Sequence, residues 1–318
     1  MKANRRAVID VGTNSVKLLV ADVRGSTVEP VAEQSEQTRL GAGFYETHRL
    51  QPQAIAHSAR AVASFAAKAR ELQAVSTRVI ATSAARDAVN PADLTSAIEQ
   101  ASGLKVEIIS GGQEADWVFR GVTTTPELVS QPLLLLDVGG GSTEFILGRG
   151  GEKHFGKSYP LGTVRLLEKL PHHDPPGITE LTAYRQWVKD FLATAVRPDL
   201  EPALRRETGA NSGVRPVRLI GAGGTTAIMA RMEARLETYD RGRIESTRLG
   251  IAQTRAQVER LWGLPLAERK KITGLPGDRA DVILPGVVIY EAVMEEFGFQ
   301  ELRVSTRGLR FAAVMDAA

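Results

Sequence analysis

The chain has 318 residues, which is longer than a single small core requires and favours two domains. Its 43% hydrophobic and 24% charged residues are typical of globular proteins and exclude disorder, collagen and coiled coil as the main architecture. The formal charge of +3 is too small to indicate nucleic-acid binding, and the absence of cysteine excludes disulfides, zinc–thiolate sites and a thiol nucleophile.

The N-terminal half predicts alternating strands and helices. Residues 7–20 predict a β-hairpin around a glycine-containing turn. Further predicted strands lie at 28–34, 78–81 and 106–109, and predicted helices at 52–73, from 82 onward, at 91–102 and from Glu114 through Phe119. This alternation indicates α/β layering.

The second half repeats the hairpin at 134–147, after an expected linker at 126–132. Predicted helices follow at 179–206, 280–297 and 308–317, with a strand–turn–helix unit at 219–232 and a last strand at 302–305. The paired histidines His172 and His173 lie in a proline-rich segment at 171–177 that predicts a solvated loop rather than a metal site.

The two hairpins resemble each other in sequence. Asp10-Val11-Gly12 and Asp137-Val138-Gly139 are separated by 127 residues, and each is followed by small residues and a second apolar run. Backbone N–H groups in such turns converge on anions, above all phosphate, and an aspartate at the strand end can hold a divalent cation. Two copies with constant spacing favour phosphate binding over two unrelated turns.

A third glycine cluster, Gly221 to Thr225, joins a predicted strand to a helix. It departs from the Gly-x-Gly-x-x-Gly dinucleotide pattern, and no acidic residue ends a following strand. We therefore interpret Gly223, Gly224 and Thr225 as a further phosphate- or base-facing loop at a helix N-terminus.

Two glutamates and three arginines are candidates for the chemistry. Glu114 is either a first-turn acid favoured by the helix dipole or a base at the mouth of an α/β site. Glu144 is either a surface charge on an edge strand or a carboxylate that orients water or metal beside phosphate. Arg86, Arg165 and Arg279 adjoin loops or helix starts and are either surface arginines or phosphate ligands.

Taken together, these sequence motifs resemble those of the exopolyphosphatase and guanosine pentaphosphate phosphatase (Ppx/GppA) family of the actin-like ATPase superfamily. The matching stretches follow the family's order and cover essentially the whole chain. They are residues 9–15, 81–88, 109–115, 137–144, 160–165, 221–225 and 279–283.

The resemblance implies an α/β fold with two ribonuclease-H-like domains flanking a cleft. The first is expected at 1–124, with a C-terminal helix at about 300–318 packing back on it, and the second at 125–299. The resemblance further implies a short form, without the helical domain that longer members carry at their C-terminus. No membrane segment or signal peptide is predicted, so the cytoplasm is the expected compartment.

The resemblance also assigns residues. The family's catalytic base for water falls on Glu114, and its magnesium- and water-orienting acids fall on Asp137 and Glu144, with Asp10 as a further metal candidate. Its phosphate-binding arginine falls on Arg86. Its two phosphate loops fall on Gly12, Thr13, Asn14 and Ser15, and on Gly139, Gly140, Gly141, Ser142 and Thr143. Gln113 and Phe311 depart from acids common in the family.

The implied activity is release of orthophosphate from the ends of inorganic polyphosphate, processive or stepwise, by Mg²⁺- or Mn²⁺-assisted in-line attack of water. Alternatives are a guanosine pentaphosphate 5′-phosphohydrolase, a sugar or acid kinase, and a non-catalytic phosphate sensor. The expected form is a homodimer that binds neither nucleic acid nor membrane.

Overall fold

A computed structural model describes residues 4–208 and 217–316 and shows two compact units. The first contains residues 4–124, 139–141 and 307–316, and the second contains 125–138, 142–208 and 217–306. None of the helices in these described residues is long and apolar enough to span a bilayer. The sequence-based domain limits stay a prediction.

The strands are β1 (Asn4–Val11), β2 (Val16–Arg24), β3 (Thr27–Glu36), β4 (Ser76–Ala81), β5 (Val106–Ile108), β6 (Leu133–Val138), β7 (Thr143–Arg149), β8 (Glu152–Tyr159), β9 (Arg218–Ala222), β10 (Arg248–Gly250) and β11 (Glu301–Val304). The helices are α1 (Pro52–Glu71), α2 (Ser83–Asp87), α3 (Pro91–Ser102), α4 (Gly111–Val122), α5 (Pro126–Val129), α6 (Thr163–Lys169), α7 (Ile178–Phe191), α8 (Arg197–Thr208), α9 (Gly223–Glu233), α10 (Arg241–Ser246), α11 (Ile251–Trp262), α12 (Leu266–Arg269), α13 (Ile283–Glu296) and α14 (Leu309–Met315). A π-helical turn, Leu192–Val196, joins α7 to α8, and a 3₁₀ turn covers Gly277–Arg279.

Each unit is built on one mixed sheet. The first sheet has the order β3-β2-β1-β4-β5 and the second the order β10-β11-β9-β6-β7-β8. In both, three consecutive strands form an antiparallel meander, and the first strand of the meander pairs in parallel with a later strand: β1 with β4, and β6 with β9. The repeat read from the sequence is therefore a repeat of architecture, and the expected α/β class is confirmed.

Sequence signals explain where the helices of the first unit begin and end. Pro52 and Pro91 occupy the first turns of α1 and α3, where a missing N–H costs nothing. Gly103 ends α3 in the left-handed conformation at φ +73°, and the hydroxyl oxygen of Ser110 caps α4 by accepting the N–H of Gln113 at 3.1 Å. These local signals place the start of α4, and so Glu114, directly after β5.

The two cores are separate and apolar. Alternate residues of β1 and β2, such as Ile9 and Leu18, pack with Val62 and Phe65 of α1. In the second unit α13 is buried along nearly its whole length, and its side chains pack with those of β6, α7 and α11.

Two parts of the chain differ from the sequence-based prediction. The expected linker at 126–132 contains the short helix α5, which begins at Pro126. Strand β8, helices α10 to α12 and strand β10 have no counterpart in the prediction. The predicted strand at 302–305 and the predicted last helix at 308–317 are confirmed as β11 and α14, so the segment at about 300–318 that was expected to pack back on the first domain begins with a strand of the second sheet.

Candidate active site

The carboxyl ends of the parallel strands in the first unit meet at one edge of the sheet. Val11 and Ala81 are register partners in β1 and β4, and Ala81 pairs with Ile108 of β5. The hydrogen bond from Thr82 N to Val11 O, at 3.3 Å, holds the segment after β4 beside the end of β1. In sheets of this kind ligands bind at this edge.

The first predicted phosphate loop leaves β1 at this edge. It closes through a 3.0 Å hydrogen bond from Gly12 N to Ser15 O, and Gly41 N donates to Thr13 O at 2.8 Å. Asn14 Nδ2 and Ser15 Oγ are buried and have no hydrogen-bond partner within the described protein. Since unsatisfied buried donors are costly, a ligand that accepts hydrogen bonds fits this loop.

The turn of the second hairpin, residues 139–141, belongs by packing to the first unit and lies on the first loop. A Cβ on Gly140 would lie 2.9 Å from Thr13 Cβ, and one on Gly141 would lie 2.8 Å from Thr13 Oγ1 and 2.5 Å from Ser83 Oγ. The turn therefore approaches more closely than any side chain would permit, which is the physical reason for glycine here. The structure thus brings Gly12–Ser15 and Gly139–Gly141 together.

Glu114 and Arg86 form a partly buried pair next to this edge. Arg86 Nη1 donates to Glu114 Oε2 at 3.0 Å and to the carbonyl oxygen of Ile109 at 3.2 Å. Glu114 is 9% exposed, in the first turn of α4, and Arg86 lies at the end of α2, directly after β4. A buried glutamate held by a charge-assisted hydrogen bond is oriented, unlike an exposed first-turn acid.

Asp10 is buried at the end of β1, and its Oδ1 has no hydrogen-bond partner within the described protein. Burial raises its pKa, although the positive charges of Lys17 and Arg310 oppose that rise. Lys17 is the cross-strand register partner of Asp10. A buried carboxylate oxygen without a hydrogen-bond partner suits either a metal cation or a hydrogen-bond donor of a ligand. The role of Asp10 as a metal ligand therefore stays a prediction.

In the second unit the register places two acids opposite each other. Asp137 of β6 pairs with Glu144 of β7, at the position that Asp10 and Lys17 occupy in the first hairpin. Strand β7 lies between β6 and β8, and Glu144 is only 2% exposed. The interpretation of Glu144 as a surface charge on an edge strand is therefore wrong.

The carboxylate of Glu144 is held by two hydroxyl groups. Ser142 Oγ donates to Glu144 Oε1 at 2.8 Å, and Ser158 Oγ donates to the same oxygen at 2.7 Å. Thr143, between them in sequence, is fully buried and donates its hydroxyl to the carbonyl oxygen of Leu161. Ser142 and Thr143, expected as phosphate ligands, thus have structural partners in the second unit.

The third glycine loop starts α9 beside Asp137. Gly223 has φ +82°, and a Cβ there would overlap Asp137 Oδ1. Thr225 Oγ1 donates to the carbonyl oxygen of Val138 at 3.3 Å, and Gly224 has open space around its Cα. The loop and the acidic strand end are therefore packed together, which the sequence order alone does not reveal.

Sequence reasoning missed Ser158 and Tyr290. The Tyr290 hydroxyl of α13 lies 3.0 Å from the carbonyl oxygen of Leu136 and 3.3 Å from that of Ala222, and donates between the ends of β6 and β9. Burial raises its pKa well above the usual value, and the charges of Asp137 and Glu144 add to the rise. The available signal for Tyr290 was a hydroxyl group within a largely apolar helix. Ser158 carried none.

Other candidates have mixed outcomes. Arg165 and Arg279 are half-buried in the second unit. His173 is exposed, as the loop prediction requires, and its N–H donates to Glu180 Oε1 at 2.8 Å. Phe311 is buried, with the Arg307 guanidinium 5.4 Å from its ring centre, so a core aromatic stands where relatives are expected to have an acid.

A divalent metal suits the oxygen groups of the second unit. Asp137 and Glu144 are hard carboxylate donors at facing positions, and Mg²⁺ binds through one or two carboxylates while waters and substrate phosphates fill its other positions. Residues 4–208 and 217–316 contain no group of three or more acids, histidines or cysteines able to enclose an ion. The donors therefore fit a metal shared with a phosphate substrate.

Comparison with known proteins places this geometry in context. The sequence model of the Ppx/GppA phosphatase family matches residues 19–317. Exopolyphosphatase 2 of Mycobacterium tuberculosis is 34% identical over 96% of this chain and 96% of its own length, and exopolyphosphatase 1 of the same organism is 27% identical over 98% and 87%.

Two solved structures have the same fold across the whole chain. An exopolyphosphatase from Cytophaga hutchinsonii superposes with a TM-score of 0.84 at 25% identity, covering 98% of both chains. The Ppx/GppA enzyme of Aquifex aeolicus superposes with a TM-score of 0.76 at 27% identity, covering 99% of both.

Proposed function

The chain belongs to the Ppx/GppA phosphatase family, and on this premise we propose that it is an exopolyphosphatase, which releases orthophosphate from the end of inorganic polyphosphate. It is a hydrolase of phosphoric anhydrides, and its fold is the expected α/β class of two ribonuclease-H-like units. The observation that carries the proposal is the partly buried pair of Glu114 and Arg86 next to the sheet edge at which the two glycine turns meet.

Polyphosphate has no base or sugar, so recognition rests on phosphate oxygens. The first unit offers the backbone N–H groups of Thr13–Ser15 and Gly139–Gly141, together with the hydroxyl of Ser15 and the side-chain amide of Asn14, as donors. The Arg86 guanidinium uses Nη1 for Glu114 and Ile109, and its Nε lies 3.9 Å from Asp87 Oδ1, so Nη2 suits a phosphoryl oxygen. Recognition is thus by charge and spacing.

Hydrolysis requires a positioned water. The Glu114 carboxylate accepts the proton of a water whose oxygen attacks the terminal phosphorus, while the bond from that phosphorus to the bridging oxygen breaks. The leaving chain departs one phosphate shorter, with the electron pair on its new terminal oxygen. Arg86 keeps Glu114 oriented, and the loop N–H groups stabilise charge on the equatorial oxygens.

Exopolyphosphatases of this family generally use a divalent metal. We propose that Asp137 and Glu144 hold it as Mg²⁺ or Mn²⁺, with Asp10 as a further candidate. When bound, the metal offsets phosphate charge. Activity with each cation after chelation and add-back distinguishes the two ions.

The decisive experiment compares wild type with Glu114→Gln, which keeps the side-chain volume and removes the base. Phosphate release is measured from long polyphosphate, tripolyphosphate, guanosine pentaphosphate and ATP, with Mg²⁺, with Mn²⁺ and with chelator. We expect wild type to degrade polyphosphate and Glu114→Gln to lose about 10²- to 10⁴-fold in kcat. A variant that keeps most of its rate would overturn the assignment of the base.

The same screen tests the substrate. Guanosine pentaphosphate ends in the same phosphoanhydride, so a higher kcat/KM for it than for polyphosphate would make the alarmone the substrate. Transfer of label from ATP to an acceptor without polyphosphate hydrolysis would indicate a kinase, and tight binding with zero turnover would indicate a sensor.

We further propose a homodimer that acts in the cytoplasm on small or polymeric phosphates, independently of nucleic acid and membrane. Sedimentation equilibrium measures the mass of the assembly, and fractionation of the source cells measures its compartment. A monomer across micromolar concentrations would contradict the dimer.

A further inference from the structure

We infer that Ser158 is a positioning residue for hydrolysis, which acts by fixing the carboxylate of Glu144. The inference rests on the proposed role of Glu144, and it assigns a role to a residue outside the three glycine loops. Ser158 lies on β8, directly opposite Glu144 of β7 in the strand register. Its hydroxyl donates to Glu144 Oε1 at 2.7 Å.

The geometry selects one carboxylate oxygen. An ionised carboxylate oxygen accepts about two hydrogen bonds, and Ser142 and Ser158 both donate to Oε1, at 2.8 and 2.7 Å. Two donors on one oxygen fix the rotation of the carboxylate plane, which a single donor leaves adjustable.

Ser158 itself is held by its strand. Its neighbours Lys157 and Tyr159 alternate to the other face of β8 and both donate to Asp199 of α8, at 2.5 and 2.8 Å. These contacts anchor β8, the edge strand of its sheet, on both sides of Ser158. The hydroxyl is therefore supplied from a fixed backbone, which is what preorganisation requires.

Burial makes the arrangement consequential. Glu144 is 2% exposed, so little water is available to replace a lost hydroxyl donor. Removal of Ser158 takes away one of the two hydroxyl donors to Glu144 Oε1 and lets the carboxylate rotate. Substrate binding through the glycine loops of the first unit is not changed by that rotation.

The experiment is a double-mutant cycle of Ser158→Ala and Glu144→Gln, with Ser158→Thr as the conservative variant. Ser102→Ala is the matched control, because its hydroxyl makes two structural hydrogen bonds at the end of α3, at 2.7 and 3.2 Å. Measured quantities are kcat and KM for polyphosphate, the melting temperature, and Mn²⁺ binding to the free enzyme by electron paramagnetic resonance.

We expect Ser158→Ala to lower kcat about 10- to 100-fold, as expected for loss of a hydrogen bond to a charged group, with KM within about threefold. Mn²⁺ affinity falls, Ser158→Thr restores most of kcat, and Ser102→Ala leaves both unchanged. In the Glu144→Gln background Ser158→Ala has no further effect on kcat, because the group through which it acts is already altered.

If the wild-type protein degrades polyphosphate, either of two results overturns the inference. One is a wild-type kcat and Mn²⁺ affinity in Ser158→Ala. The other is a loss that is additive with Glu144→Gln and proportional to a lowered melting temperature, which indicates a purely structural serine. A wild-type protein that is inactive on polyphosphate counts instead against the proposed function.

Discussion

The most specific consequence of the third glycine loop concerns Gly223. Its φ of +82° lies in the left-handed region, and a Cβ built on it would overlap Asp137 Oδ1 and lie 3.3 Å from Asp137 Cγ. Gly223→Ala therefore adds two separate effects. One is backbone strain, and the other is displacement of a carboxylate at the proposed metal position.

The magnitudes of the two effects differ. An alanine forced into the left-handed region costs about 1 to 2 kcal/mol, which lowers the melting temperature by about 2 to 8 °C for a chain of this size. Relief of the overlap requires Asp137 to move by about 1 Å, and a misplacement of that size costs about 10²-fold in rate. Activity should therefore fall far more than stability.

A matched control separates the two effects. Gly103 has φ +73° at the end of α3, and a Cβ there meets nothing within 4 Å. Gly103→Ala carries the same kind of strain without a displaced carboxylate, so it should lower the melting temperature similarly and leave kcat/KM unchanged. The assay is phosphate release from polyphosphate at a temperature well below both transitions.

The reasoning is refuted if Gly223→Ala keeps a kcat/KM within about threefold of Gly103→Ala while both remain folded. That outcome would mean that the Asp137 carboxylate either accommodates the methyl group or has no part in hydrolysis. Phosphate release by Asp137→Asn separates these two explanations, because only the second predicts that this variant keeps the wild-type kcat/KM.

Two further predictions concern stability. In Gly121→Ala the new Cβ would lie 2.7 Å from the carbonyl carbon of Gly308, so helices α4 and α14 must separate, and urea denaturation should show a loss of about 1 to 3 kcal/mol in the free energy of unfolding. The control is Gly112→Ala, whose Cβ would meet only Ser110 Oγ at 3.8 Å and which should be neutral or stabilising. Equal stabilities of the two variants would contradict the close contact. Glu180 caps α7, and hydrogen bonds from the Gly177 and His173 N–H groups lower the pKa of its carboxyl group to about 2. Because this folded-state pKa lies below the unfolded value of about 4.3, the carboxylate stabilises the fold fully above about pH 4.3, and this stabilisation is lost as pH falls through about 2. The melting-temperature difference between wild type and Glu180→Gln should therefore be constant from pH 8 to 5 and shrink toward pH 3, and a difference independent of pH would show that the carboxylate charge is irrelevant to the cap.

Much of the fold was predictable because its signals are local. Pro52, Pro91 and Gly103 mark helix ends by their backbone restrictions, and these elements are confirmed. The antiparallel hairpins are also confirmed, since apolar runs around a glycine turn have few alternatives. The stretch from 241 to 269 was not predicted, because its short helices and strand are stabilised by tertiary packing rather than by a periodic pattern of their own.

The candidate site divides in the same way. Sequence alone singled out Asp10, Glu114, Asp137 and Glu144, because each is a charged residue close to a glycine-containing turn. Their roles in catalysis stay predictions.

Only the tertiary structure revealed the hydrogen bonds between distant residues around the site. Arg86 is 28 residues from Glu114 and Tyr290 is 154 residues from Leu136, yet each donates a hydrogen bond there. A serine such as Ser158 has no distinctive local pattern, since its importance comes from the strand opposite it. The local sequence therefore determined the turns, the candidate acidic residues and the fold class. Sheet pairing and burial decided which groups form hydrogen bonds around the site, because hydrogen bonds between distant residues depend on strand register and packing rather than on neighbouring sequence.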